Sequence, residues 1–277
     1  MKPHVHQITL GGVGRFRVLE WAGAHPAAIF LHGLTGIAEA WGPTVAALGE
    51  ERPRSFAPDL RGHGHSPKPA AGYAVTDYVS DLLAACDALG LDRPHLVGHS
   101  MGGRVALVAA ARYPERFRSV AIVDIGPEAW RTNWVETQEA LDQLPTRYPD
   151  IETAIGTAAR PRGPGSATSE ELMEVARARF AVAEDGSASW LADRAALKQA
   201  VELHRSRNYW RDWERIEIPA LLIRGERSRE LRRRVAEAMR RRNPRVQYEE
   251  LPGVGHNIPL LAPGALAALL SGFGQSP

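Results

Sequence analysis

Apolar runs and helical stripes take turns along the first 125 residues. Val5–Leu10 and Arg15–Glu20 predict two strands joined by the glycine-rich GGVG. Ala27–Leu31 (AAIFL) is a short apolar run that ends at His32-Gly33. A helix is predicted over Ala38–Gly49, a strand at Ser55–Ala57, and a helix with apolar period over Asp77–Leu89. Pro94–Val97 predicts a strand, Met101–Arg112 a helix, and Ser119–Val123 (SVAIV) a strand apolar at every position. Strands apolar on both faces and separated by helices predict a parallel sheet covered on both sides.

The alternation stops at Gly126 and returns at Ala220–Ile223, followed by an arginine-rich helix, a strand at Val246–Leu251 and a helix at Pro263–Leu270. Between them lies a stretch rich in Trp and Tyr: Trp130, Trp134, Tyr148, Trp190, Tyr209, Trp210 and Trp213. Here Thr168 to Glu171 has the form of a capping box, and Asp185-Gly186 between FAVA and ASWLA that of a small hairpin. The chain is therefore expected to divide into a core, residues 1–125 and 216–277, and a mainly helical cap, residues 126–215. Trp210 and Trp213, three residues apart, are expected to pack between cap and core.

The stretch HLVGHSMGGRVALVAA carries the most chemistry. An apolar strand meets a long apolar helix at Ser100, with Gly98 and Gly102 two residues to either side, the pattern G-x-S-x-G. A serine on so sharp a turn has a strained backbone that only small neighbours let close, and its hydroxyl stands clear of the sheet. The first N–H of the helix, that of Met101, is then available to a developing negative charge. His32-Gly33 opens a second loop, LHGLTG, in which the N–H of Leu34 is the expected partner donor.

Together with PDLRGHGHS (Pro58–Ser66) and LPGVGHNIPL (Leu251–Leu260), these segments resemble the α/β-hydrolase superfamily along nearly the whole chain. The resemblance implies an eight-stranded, mostly parallel sheet with helices on both faces and a cap inserted after the sixth strand. It implies His256 as general base and His32 and His63 as braces of the loops beside the site. The pocket lining is expected to include His32, Gly33, His99 and Trp130; His4, His6, His25, His65, His95 and His204 are expected at the surface or in packing.

The third member of a serine–histidine pair, which fixes the imidazole and stabilises the imidazolium, is not where the resemblance puts it. Family members usually carry an Asp after the seventh strand, near Ser228 here, and PALLIRGERSRE has no Asp at all. Asp124 ends the apolar sixth strand, one strand across and only about 4.8 Å away. Some members of the superfamily place the acid there, and the segments VDIGPE and RGERS are similar to theirs. Asp124 is the expected acid, with Glu226 its rival.

Charge and composition change little. The net charge of +2 attracts no polyanion, and although ten arginines fall between Arg224 and Arg245, Leu231, Val235, Ala238 and Met239 keep helical spacing beneath them. A solvated helix face is expected, with no nucleic-acid partner. The one cysteine, Cys86, lies in an apolar helical stretch and predicts a quiet core thiol. No signal-peptide block, 18-residue apolar run or metal-ligand spacing occurs, so a cytoplasmic protein with no membrane contact, cofactor or metal is expected. The expected activity is hydrolysis of small to medium carboxylic esters through an acyl-enzyme, with water as second substrate. Lactone, amide (C–N) and C–C bond hydrolysis on the same triad are the alternatives, and a hydrolase-fold ligand receptor with little turnover is the alternative of another class.

Overall fold

The computed structural model describes residues 2–128, 134–158 and 169–274. In chain order the first strands are β1 (His4–Leu10), β2 (Gly14–Trp21), β3 (Ala24–Leu31) and β4 (Pro53–Pro58), with helix α1 (Gly42–Ala47) between β3 and β4. Then come α2 (Val75–Ala88), β5 (His95–His99), α3 (Met101–Arg112) and β6 (Ser119–Val123). After the intervening segment the sheet is completed by β9 (Ala220–Gly225) and β10 (Gln247–Leu251), with α9 (Arg233–Arg242), α10 (Ile258–Leu261) and α11 (Pro263–Gly274) around them. The eight strands lie in the order β1-β2-β4-β3-β5-β6-β9-β10. β1–β2 and β2–β4 pair antiparallel and every later pair is parallel, which is the α/β-hydrolase fold.

The fully apolar strands are explained by two covered faces. In β6, Val120 and Ile122 point into the layer with α2, α3 and α9, while Ala121 and Val123 point into the layer with α1 and α11. Each large apolar side chain buried this way stabilises the fold by about 1.5–3 kcal/mol. The expected helix over Ala38–Gly49 is in fact a 3-10 turn, Ala38–Trp41, followed by α1, because Pro43 starts a new helix at its first turn. In α9 it is Ala236, not Ala238, that is buried with Val235 and Met239, and Leu231 packs from just before the helix. Arg233, Arg234 and Arg240 to Arg242 are exposed, but Arg224 is buried and donates to Glu250, to Leu231 O and to Glu226 O.

The segment between β6 and β9 holds α4 (Trp134–Gln143), α5 (Ile151–Ala158), α6 (Ser169–Ala178), a hairpin of β7 (Phe180–Val182) and β8 (Ala188–Trp190), α7 (Arg194–Arg205) and α8 (Trp210–Glu214). It has a small core of its own around Tyr148, Ile155 and Phe180. Leu197 and Val201 of α7 and Trp213 of α8 instead join the main core, and the Trp213 indole donates to Met239 O at 2.8 Å. The final turn of this segment thus packs with α3 and α9. Thr168, and with it the capping box, lies outside the described residues. Among the described residues no helix is long and apolar enough to cross a membrane.

Candidate active site

Ser100 joins β5 to α3 with φ 54° and ψ −119°, a left-handed backbone that is costly for a residue with a side chain. The surroundings enforce it. A Cβ on Gly98 would collide with the carbonyl of Gly102, and one on Gly102 with that of Leu31. Ser100 N donates to Val123 O at 2.9 Å, tying the turn to β6. Met101 follows as the first residue of α3, so its N–H has no acceptor within the helix. Leu34 and Gly33 sit in the loop after β3, where a Cβ on Gly33 would lie 3.2 Å from Ser100 Cβ.

His256 lies in the loop between β10 and α10. Its Nε2 is 2.9 Å from Ser100 Oγ and its Nδ1 is 2.6 Å from Asp124 Oδ2. His99 is paired with Val123 in the β5–β6 register, so Ser100 and Asp124 leave adjacent strands at the same level. Asp124 is 0% exposed and also takes φ 55°. Its Oδ1 accepts the Gly225 N–H at 2.8 Å, and its Oδ2 accepts the hydroxyl of Ser228 as well as the imidazole. Glu226 is turned away: its exposed carboxylate accepts Gly253 N at 2.6 Å. The turn after the seventh sheet strand therefore contributes a donor, Ser228, to a carboxylate rooted on the sixth.

Close approach makes this possible. A Cβ on Gly225 would lie 2.6 Å from Gly255 O and 2.7 Å from Val254 O, so the end of β9 and the histidine loop meet backbone to backbone. Arg227 N completes the contact by donating to Val254 O at 2.8 Å.

Three further histidines tie the loops around the site together. His32 donates from Nδ1 to Gly33 O and accepts Leu60 N at Nε2, linking the loop after β3 to PDLRGHGHS. His63 sits between the carbonyls of Arg61 and Leu34. His99 lies 4.8 Å from the His256 ring and donates to His256 O at 2.8 Å. Burial pushes His99 down to about 3, with the neighbouring His256 acting in the same direction, and burial pushes His32 well below its ordinary value. Both are neutral at physiological pH. Asp59, unexposed, gathers the same loop by accepting Ala38 N, His65 N and the Arg17 guanidinium.

A cavity of about 270 Å³ opens beside Ser100 and His256. His32, Gly33 and His99, expected in the lining, are found there, and Leu34 lines it too; Trp130 lies outside the described residues. Three lining residues had no signal in the sequence: Thr137 of α4, Arg179 after α6 and Glu230 after the β9 turn. Thr137 and Arg179 come from the inserted segment, which thereby forms one wall. Behind Ser100, the buried guanidinium of Arg104 donates to Gly126 O at 3.1 Å, Glu128 O at 2.7 Å and His204 O at 3.4 Å. Burial lowers its pKa to about 10, which leaves it charged. Among the described residues no group of three His, Cys, Asp or Glu is arranged to hold a metal ion.

Fold and comparisons agree on an α/β hydrolase, with Ser100 at its strand-turn-helix junction. The family model described as Alpha/beta hydrolase family matches residues 28–269, and the chain belongs to that family. It is 30% identical over 258 residues to a 2-(acetamidomethylene)succinate hydrolase of Mesorhizobium japonicum, covering 91% of this chain and 88% of that protein. It is 28% identical to a 3-hydroxybutyrate-oligomer hydrolase of Cupriavidus necator, covering 95% and 94%. A crystal structure of E-2-(acetamidomethylene)succinate hydrolase matches with a TM-score of 0.90 and 26% identity, over 99% of this chain and all of the other.

Proposed function

We propose that the chain is a serine hydrolase that cleaves small carboxylic esters through an acyl-enzyme on Ser100. The observation that carries this is the continuous path Ser100 Oγ–His256 Nε2, His256 Nδ1–Asp124 Oδ2, with links of 2.9 and 2.6 Å, at the edge of a cavity. His256 takes the hydroxyl proton as Ser100 attacks the carbonyl carbon, and Asp124 holds the imidazolium. The N–H groups of Leu34 and Met101 receive the oxyanion; a single such donor is worth about 3–4 kcal/mol of barrier. His256 then protonates the leaving group, and later deprotonates the water that releases the acid and regenerates Ser100. The segment 126–215 acts as a cap over this chemistry, and the low volume of the cavity favours a small acyl group.

A second reading, cleavage of a C–N bond on the same triad, is supported by the relative from Mesorhizobium japonicum, whose name is that of an acetamido-compound hydrolase. Turnover of p-nitrophenyl acetate and butyrate against the matched anilides separates the two. A rate on both no better than that of Ser100→Ala would leave only a ligand-binding role.

A further inference from the structure

A second cavity, of about 280 Å³, lies between the inserted segment and the sheet, away from Ser100, Asp124 and His256. Three links join it to the cavity beside Ser100. Thr35, which follows Leu34 in the loop after β3, is exposed and borders both. Thr137 lines the first and Leu141 the second; four residues apart on α4, they share one face of that helix. Arg179 lines the first and Leu191 the second, and Leu191 N donates to Arg179 O at 2.8 Å. The two are thus neighbouring compartments along one seam, walled by the same elements.

The walls of the second compartment are apolar. Leu141 and Leu197 are buried in the main core, and Leu144 and Trp190 are half-buried. Trp190 is held in place: its ring lies 4.7 Å from that of Phe180, and its indole N–H donates to the Tyr148 hydroxyl at 3.2 Å. The charged residues at the edge are engaged with backbone. Lys68 donates to Gly64 O and Ser66 O, Arg194 donates to Leu144 O, and Asp193 accepts Ala196 N.

We propose that this second compartment receives the apolar end of the acyl chain, so that the preferred substrates are esters of medium-chain fatty acids. This rests on the reading of Ser100 as nucleophile. The leaving group has to stand at His256 Nε2 to be protonated, and His256, Asn257 and Pro259 line the first cavity and not the second. The chain that passes Thr35 is therefore the acyl half. Each compartment lies below the usual size of ligand pockets, ~300–1,000 Å³, and the two joined fall within it. The cavity beside Ser100 alone fits a short acyl group; the second compartment raises that limit. A short acyl group leaves the walls of Leu141, Leu144 and Trp190 in water, whereas a longer one covers them and loses its own hydrated surface.

The test compares p-nitrophenyl butyrate and octanoate on the full chain. The octanoate is expected to have a kcat/KM higher by about tenfold, mostly through KM, since its extra methylenes leave water. In Leu144→Trp and in Thr146→Trp, each of which sets an indole in the second compartment, that ratio falls to about one. Thr146 is exposed, so its variant tests the compartment even if Leu144→Trp does not fold. A wild-type ratio at or below one, or a ratio that both filled variants keep, overturns the proposal. Calorimetric titration with methyl octanoate on Ser100→Ala, and on Ser100→Ala combined with Thr146→Trp, reads the compartment without turnover. Tighter binding by the first protein than by the second supports it even if neither ester is cleaved, and in that case it is the serine-hydrolase reading that fails. Equal binding by both proteins, or none by either, overturns the acyl-chain site.

Discussion

The hydroxyl of Ser228 donates to the same Oδ2 of Asp124 that accepts the His256 imidazole. Two adjacent strands thus cooperate on one carboxylate: β6 supplies it, and the turn after β9 orients it with a side-chain O–H and the Gly225 N–H. If the carboxylate is the triad acid, Asp124→Asn lowers kcat on p-nitrophenyl acetate by roughly 10⁴, the loss known for the Asp-to-Asn change in a serine triad. Glu226→Gln, altering an exposed group that bonds only a loop N–H among its described contacts, changes the barrier by less than about 0.5 kcal/mol. The reverse order of effects would remove Asp124 from the triad.

Ser228 offers a sharper experiment. Ser228→Ala removes one of the hydrogen bonds to the carboxylate, and the expected loss is about tenfold in kcat, equivalent to ~1.4 kcal/mol. Because the two side chains touch, Ser228→Asp added to Asp124→Asn returns an acid to the same space from the other strand. Steady-state kinetics of the double variant are expected to recover at least part of the loss; no recovery at all would mean that β6 alone can hold the acid in line.

Gly225 is where backbone meets backbone. Gly225→Ala sets a methyl group 2.6 Å from Gly255 O, and neither strand end has a flexible side chain to move aside. Overpacking of this kind costs about 1–3 kcal/mol. Urea unfolding is expected to show that loss, together with reduced labelling of Ser100 by a fluorophosphonate as the histidine loop is displaced.

Acid should weaken the fold at a higher pH than carboxylate titration alone would. Burial pushes His99 and His204 down to about 3 and His32 well below its ordinary value, whereas the unfolded chain protonates all three near pH 6.5. The unfolded state therefore binds more protons between those limits, so stability is full above about pH 6.5 and is lost as pH falls toward 3. Each ring adds a slope of ~1.4 kcal/mol per pH unit in that window. His204→Asn, outside the cavity lining, is expected to flatten the slope of unfolding free energy by about one proton's worth; an unchanged slope would contradict the assignment of a neutral buried ring.

The strand-helix alternation, the elbow and the histidine loop were readable because each is local: a pattern of two or three neighbouring glycines, or an apolar run with a fixed period, reports its own backbone. Asp124 was readable for a related reason, since a carboxylate closing the wholly apolar SVAIV has no place in the packing of that strand. The 3-10 turn before α1 departs from the expected continuous helix because Pro43 restarts the helix, a signal that was present in the sequence but outweighed by the apolar period. Thr137, Arg179 and Glu230 carried no comparable mark. They lie far apart in sequence, on surfaces that read as ordinary polar positions, and only the packing of the inserted segment on the sheet brings them to one cavity. Ser228 stands where the resemblance puts an acid, and its hydroxyl takes its role from the Asp124 carboxylate beside it, a contact between strands that no local pattern reports.

The three carbonyls held by Arg104 belong to both ends of the inserted segment, Gly126 and Glu128 where it departs and His204 near its return. One guanidinium on the helix that follows Ser100 thus ties the two ends of the excursion together. Everything strung between those attachment points is, in engineering terms, an exchangeable cassette, and a chimaera jointed there would inherit a new specificity wall without retooling the chemistry beneath it.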